Sequence, residues 1–155
     1  MKATIAMELL EKGVVSYEVR SFEHDGFTPA TEAAELLTIP PDTMFKTLIV
    51  RGERRGIVLA LVPGDHTLSL RKLAQQMGDK RAEMVDPSEI TRLTGYVKGG
   101  VSPLGGRRAC PVFMDQSALQ HPRIAVSAGI RGLVLLLAPS DLAAVAHATT
   151  GDILE

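Results

Sequence analysis

Lys46 is the residue whose surroundings most suggest chemistry. The run Met44-Phe45-Lys46-Thr47-Leu48-Ile49-Val50 is apolar except at Lys46 and Thr47. Lysine is depleted in strands and is almost never fully buried without a partner. Strand alternation puts Phe45, Thr47 and Ile49 on one face and Lys46, Leu48 and Val50 on the other. A cation sharing a face with Leu48 and Val50 either snorkels at a sheet rim or points into a pocket. The residues around it leave both readings open.

A second candidate is the loop Gly99-Gly100-Val101-Ser102-Pro103-Leu104-Gly105-Gly106. Glycines let a backbone approach a ligand closely and present its polar groups. No Gly-Lys-Ser/Thr follows, so this is not a P-loop, and no obvious helix follows as a dinucleotide fingerprint requires. No cofactor is expected. A third candidate is Val126-Ser127-Ala128-Gly129-Ile130-Arg131-Gly132, in which Ser127 ends a strand and Gly129 permits positive φ. A catalytic serine needs a positioned base, and no His or Asp stands at a recognisable spacing. Taken alone, an ordinary surface loop and an ordinary hairpin turn are the simpler readings of these two segments.

Other reactive side chains carry less. His24 and Asp25 lie in a turn that they can stabilise. His66, His121 and His147 form no HxH or HExxH pair, so no metal site is expected. Cys110, the only cysteine, follows Arg107 and Arg108, which would lower its pKa; a buried, inert thiol is the simpler reading. Arg51, Arg54, Arg55, Arg107 and Arg108 fall in loops, where solvated charge is common but contact with phosphates is open.

The elements that must position these residues follow from periodicity and punctuation. Residues 3–12 carry apolar positions at helical spacing, and Gly13 suits the stop. Residues 14–22 read as a strand and 23–26 as a turn. Thr28-Pro29 reads as N-cap plus first helical residue of a helix to Leu37. Strands are predicted over 45–51 and 57–62, joined by a polar hairpin loop at 52–56. A helix capped by Ser69 runs to Met77, and a short strand covers 82–85. Asp86-Pro87-Ser88-Glu89 opens a helix ending at Gly95. After the loop at 96–108, strands cover 111–114, 124–127 and 133–137, the last two pairing around 128–132. A helix starting at Ser140 or Asp141 ends before Gly151.

The bulk numbers set bounds. The chain has 155 residues, 45% hydrophobic and 23% charged, which suits one globular domain over residues 1–155. Aromatics make up only 4%, so the core must come from aliphatic residues and Met. One thiol and no possible intrachain disulfide suit a reducing compartment. The first twenty residues carry charges throughout and lack the apolar stretch of a signal peptide. The expected location is cytoplasmic, with no membrane or DNA partner. A net charge of −1 argues against gripping nucleic acid by phosphates alone. Hairpin-joined strands mixed with helices give a mixed α/β class.

In combination these segments are specific. Phe22-Glu23-His24-Asp25, Phe45-Lys46-Thr47-Leu48, Glu83-Met84-Val85-Asp86-Pro87, Thr94-Gly95-Tyr96 with the glycine loop, and Val126-Ser127-Ala128-Gly129 with Arg131-Gly132-Leu133 resemble, in order, the YbaK/EbsC family of free-standing aminoacyl-tRNA editing domains. The resemblance implies a strongly curved, nearly barrel-like mixed sheet ringed by helices. It implies release of a wrongly attached amino acid from the 3′ acceptor end of tRNA, for the YbaK branch cysteine on proline tRNA and also on cysteine tRNA, alongside prolyl-tRNA synthetase. It also implies that the substrate's own thiol attacks its carbonyl. Lys46 would anchor the terminal adenosine or its phosphate. Phe22, Phe45, Thr47, Gly99, Gly100, Val101, Ser102, Ser127 and Gly129 would line the substrate. Two positions depart from the pattern: Phe22 stands where tyrosine is frequent, and Val134 where an acidic residue can follow Arg-Gly-Leu. Other amino acids (Ala, Ser or Thr), a Schiff-base lysine, or an RNA- or synthetase-binding module without catalysis are the alternatives.

Overall fold

The structure is a computed structural model that describes residues 3–155. Its helices are α1 (Ile5–Lys12), α2 (Ala30–Leu37), α3 (Leu70–Met77), α4 (Ile90–Thr94) and α5 (Pro139–Ala146). Its strands are β1 (Glu18–Ser21), β2 (Phe45–Gly52), β3 (Gly56–Pro63), β4 (Ala82–Met84), β5 (Val112–Asp115), β6 (Ile124–Ser127), β7 (Leu133–Leu137) and β8 (Thr149–Gly151). None of the helices among the described residues is long and apolar enough to cross a membrane.

The fold grows from two hairpins. In β2–β3, Gly52 pairs with Gly56 and the register runs down to Phe45 opposite Pro63. Gly56 takes φ +76°, the positive-φ residue that closes a three-residue hairpin loop. In β6–β7, Ser127 pairs with Val134 across the turn at 128–132. A five-stranded sheet has the order β4-β2-β3-β5-β8, with β5 parallel to both β3 and β8. A three-stranded antiparallel sheet has the order β1-β7-β6. A parallel bridge between Met44 and Ala125 ties the two sheets at the start of β2. The expected mixed α/β architecture is what the chain forms.

Burial explains the pattern. β3 is central and covered on both faces, so its run of Ile, Val, Leu and Ala shows no polar alternation. Leu59 and Leu61 join Phe45, Ile49, Met114 and Leu135 in the core between the sheets. Val58, Ala60 and Val62 instead meet Leu73 and Met77 of α3. Each fully buried side chain of this kind contributes about 1.5–3 kcal/mol.

Several boundaries differ from the expectation. β1 begins only at Glu18, because Val14 takes φ +57° in the turn that ends α1 and is 92% exposed. Pro29, not Thr28, is the N-cap of α2 and makes no side-chain cap. The segment after Asp86 is a single 3-10 turn, Pro87–Glu89, followed by the short α4. α5 starts at Pro139, whose fixed φ suits the first helical position. The 3-10 turn Gln116–Gln120 and the edge strand β8 are additions to the expected elements.

Candidate active site

Lys46 sits opposite Val62 in the β2–β3 ladder. Its ammonium reaches past that pair to the Gly64 carbonyl, at 3.4 Å. The turn carrying Gly64 is pressed against α2 and β2: Gly64 N–H donates to the Met44 carbonyl at 2.7 Å, and a Cβ on Gly64 would stand 2.8 Å from Ala30 Cβ. The amine is therefore half-buried, with one long hydrogen bond. Burial pushes its pKa down, and the negative charge of Asp65 partly restores it.

Lys46 lines a cavity of about 330 Å³, at the small end of ligand sites. Phe22, Phe45, Thr47, Gly99, Val101 and Ser127 line it too. The ladder of β2, the end of β1, the glycine loop and the β6–β7 hairpin thus converge, although they are far apart in sequence. Gly100, Ser102 and Gly129 are not in the lining. Gly100 N–H is spent on the Val97 carbonyl at 2.9 Å. Ser102 is buried, and its hydroxyl accepts from Leu104 N–H. Gly129 has φ +107°, and a Cβ there would lie 3.1 Å from the Tyr96 ring. Tyr96 in turn donates to the Leu104 carbonyl. These three residues brace the wall from behind.

Much of the rest of the wall is apolar: Leu48, Met84, Val85 and Pro87 belong to the segments that carry the family resemblance, while Met44, Ile90 and, from α2, Ala30 and Ala33 carry no signal in the sequence. Val134 and Phe22, the two departures from the family pattern, both lie in this wall. At the mouth, Lys98 stands 4.6 Å over the Phe27 ring, a cation–π pair. Lys98 directly precedes Gly99, and that adjacency is the one signal for it in the sequence. Arg131 Nε donates to the Lys98 carbonyl at 2.7 Å and pins the glycine loop to the hairpin turn.

The polar groups of the lining are few. No His, Cys, Asp or Glu is among them. Ser127 Oγ accepts from Gly129 N–H at 3.2 Å and has no base beside it. Thr47 Oγ1 is shut off from solvent and has no partner, which leaves it one hydrogen bond short. Outside the cavity, His24 Nδ1 accepts from Gly26 N–H and stabilises its turn. Burial pushes the Cys110 thiol up against the opposing effect of Arg108, the state of an inert thiol. No group of three or more metal-ligating side chains occurs among the described residues.

The cavity is thus sheet-walled, with the Lys46 ammonium inside, Lys98 at the mouth and no nucleophile–base pair among its lining residues. The model of the aminoacyl-tRNA editing domain family matches residues 24–145, and the chain belongs to that family. It is 37% identical over 153 residues to the EbsC protein of Enterococcus faecalis, assigned as a Cys-tRNA(Pro)/Cys-tRNA(Cys) deacylase; the match covers 98% of this chain and 92% of that one. A proline–tRNA ligase of Thermosipho africanus is 38% identical over 74 residues, 48% of this chain and 13% of the ligase. Among solved structures, one described as a trans-editing enzyme for prolyl-tRNA synthetase superposes with a TM-score of 0.84 at 28% identity, covering 96% of this chain and 93% of its own.

Proposed function

We propose that this protein is a trans-editing aminoacyl-tRNA deacylase that removes cysteine from Cys-tRNA(Pro). The observation that carries the reading is the composition of the cavity: the half-buried Lys46 with one long hydrogen bond, Lys98 at the mouth and largely apolar walls, with no nucleophile–base pair. An aminoacyl ester is already activated, so cleavage needs positioning and charge stabilisation more than a protein nucleophile. Cysteine brings its own nucleophile. With a pKa of ~8.5 its thiol has a usable thiolate fraction near neutrality.

In this mechanism Lys46 holds the terminal adenosine or its phosphate and fixes the ester in the cavity. The cysteine Sγ attacks the ester carbonyl carbon and forms a C–S bond. The bond from that carbon to the ribose oxygen breaks, and the proton lost by the thiol ends on the tRNA hydroxyl. The thiolactone product is then hydrolysed by water. Val134 and Phe22 make the wall apolar, which suits a thiol better than a hydroxyl side chain. The tRNA is expected to come from prolyl-tRNA synthetase in the cytoplasm.

The test is deacylation of tRNA(Pro) carrying Cys, Ala or Ser. Rapid clearance of Cys-tRNA(Pro) is expected. Rapid clearance of Ala-tRNA(Pro) with Cys-tRNA(Pro) spared would remove the cysteine assignment. Binding of every substrate with turnover of none would point to a non-catalytic module.

A further inference from the structure

Four exposed cations gather at one end of the β3-β2-β4 ribbon. Arg54 and Arg55 form the tip of the β2–β3 hairpin, and Lys80 and Arg81 lead into β4. The two loops are locked side by side by Asp79. Its Oδ2 accepts from Arg54 N–H at 3.0 Å and Arg55 N–H at 2.8 Å, and its Oδ1 accepts from Lys80 N–H at 2.7 Å. Glu53 N–H donates to the Arg81 carbonyl at 3.1 Å and completes the clamp. A Cβ on Gly78 would lie 3.5 Å from Arg55 Nη2, so the Arg55 guanidinium folds across the end of α3.

The side chains are left free by this arrangement. None of the four makes an ion pair among the described residues, while Arg20, Arg51, Lys72, Arg92 and Arg123 each find a carboxylate. Asp79 spends its oxygens on backbone N–H groups. The other acids on this edge are Glu53, at the tip, and Glu83, which stands opposite Arg51 in the β2–β4 ladder. On a chain of net charge −1, four cations without an ion pair, held by a shared backbone clamp, form a local cationic patch.

The ribbon also fixes where this surface lies relative to the cavity. Lys46 and the tip are on the same strand, six residues apart to Gly52, or about 20 Å at the rise of a strand. Met84 and Val85, just beyond Arg81, line the cavity. A few unstacked nucleotides span such a distance. We infer that the Arg54, Arg55, Lys80 and Arg81 surface docks the phosphate backbone of the RNA substrate's base-paired stem while its 3′ end occupies the cavity. This rests on the proposed function, and it adds where the body of the substrate lies.

The test is the variant R54E/R55E/K80E/R81E, with Asp79 intact and an unchanged melting temperature as the folding control. Two readouts separate the surface from the chemistry. The first is binding of uncharged tRNA across a salt series. The variant should bind at least tenfold more weakly, with a salt slope shallower by about 0.7–0.9 for each phosphate it no longer neutralises. The second is cleavage of the same amino acid carried on full-length tRNA and on a short 3′-terminal oligonucleotide. The variant should lose efficiency on the tRNA and keep it on the oligonucleotide. Equal binding and equal cleavage of tRNA by variant and wild type would overturn the docking surface. So would loss confined to association with the synthetase, which would make it a protein-binding face. If the wild type cleaves neither substrate, the proposed function fails, and the uncharged-tRNA arm still decides the surface.

Discussion

Replacing Lys46 by alanine separates what this residue does for the fold from what it does for a substrate. In the free protein its ammonium has one hydrogen bond, at 3.4 Å, longer than a well-formed N–H···O contact. Its burial disfavours the charge. Removing it therefore costs the fold little, and Lys46→Ala should melt close to wild type. With substrate bound, the same ammonium makes a charge-assisted contact worth ~1.5–3 kcal/mol. At 1.36 kcal/mol per decade this predicts a loss in kcat/KM of about 10- to 150-fold. The pH profile carries a further signature. Because burial lowers the Lys46 pKa, an activity that needs the ammonium falls on the alkaline side below the usual lysine range. Asp65 raises that pKa, so Asp65→Asn should move the alkaline limb to lower pH. The assay is single-turnover deacylation from pH 6 to about 10, the upper bound being set by the ordinary lysine range. Wild-type kcat/KM in Lys46→Ala, or an alkaline limb that Asp65→Asn leaves in place, would refute the anchoring role.

Other substitutions test the frame around the cavity. Gly132→Ala should destabilise by about 2–4 kcal/mol and lower activity, since Gly132 has φ +83° and its new Cβ would lie 2.9 Å from the Phe22 carbonyl and 2.6 Å from His24 Cδ2; a thermal melt at wild-type temperature would contradict this. Leu61→Ala, at a fully buried position between β2 and β5, should cost ~2–5 kcal/mol in chemical denaturation.

What is legible in the sequence and what is not divide along local and non-local lines. The β2–β3 and β6–β7 hairpins are legible because their turns and alternation are local. So is the split of β2 into a face with Phe45 and Ile49 and a face with Leu48 and Val50, and the two faces feed different cores. β8 is not legible. Thr149 and Thr150 are exposed on an edge, and only pairing with β5 makes them a strand. Val14 and Val15 suggest strand by type, but the turn closing α1 overrides that preference at Val14. Lys46 alone leaves rim and pocket undecided. The site needs walls from α2 and α4, whose Ala33 and Ile90 show no signal of their own. The orphan hydroxyl of Thr47 depends on burial, which no spacing predicts. Gly129 is legible as a positive-φ position, yet its demand comes from the Tyr96 ring behind the wall.

The most direct test of the central claim compares tRNA(Pro) carrying cysteine with tRNA(Pro) carrying S-methylcysteine, in single turnover with wild-type protein. The account predicts rapid loss of the cysteine ester, a thiolactone trapped from the reaction, and an S-methyl ester that persists at its uncatalysed rate. Equal cleavage of both esters would contradict it, because the attacking group would then have to come from water or the protein.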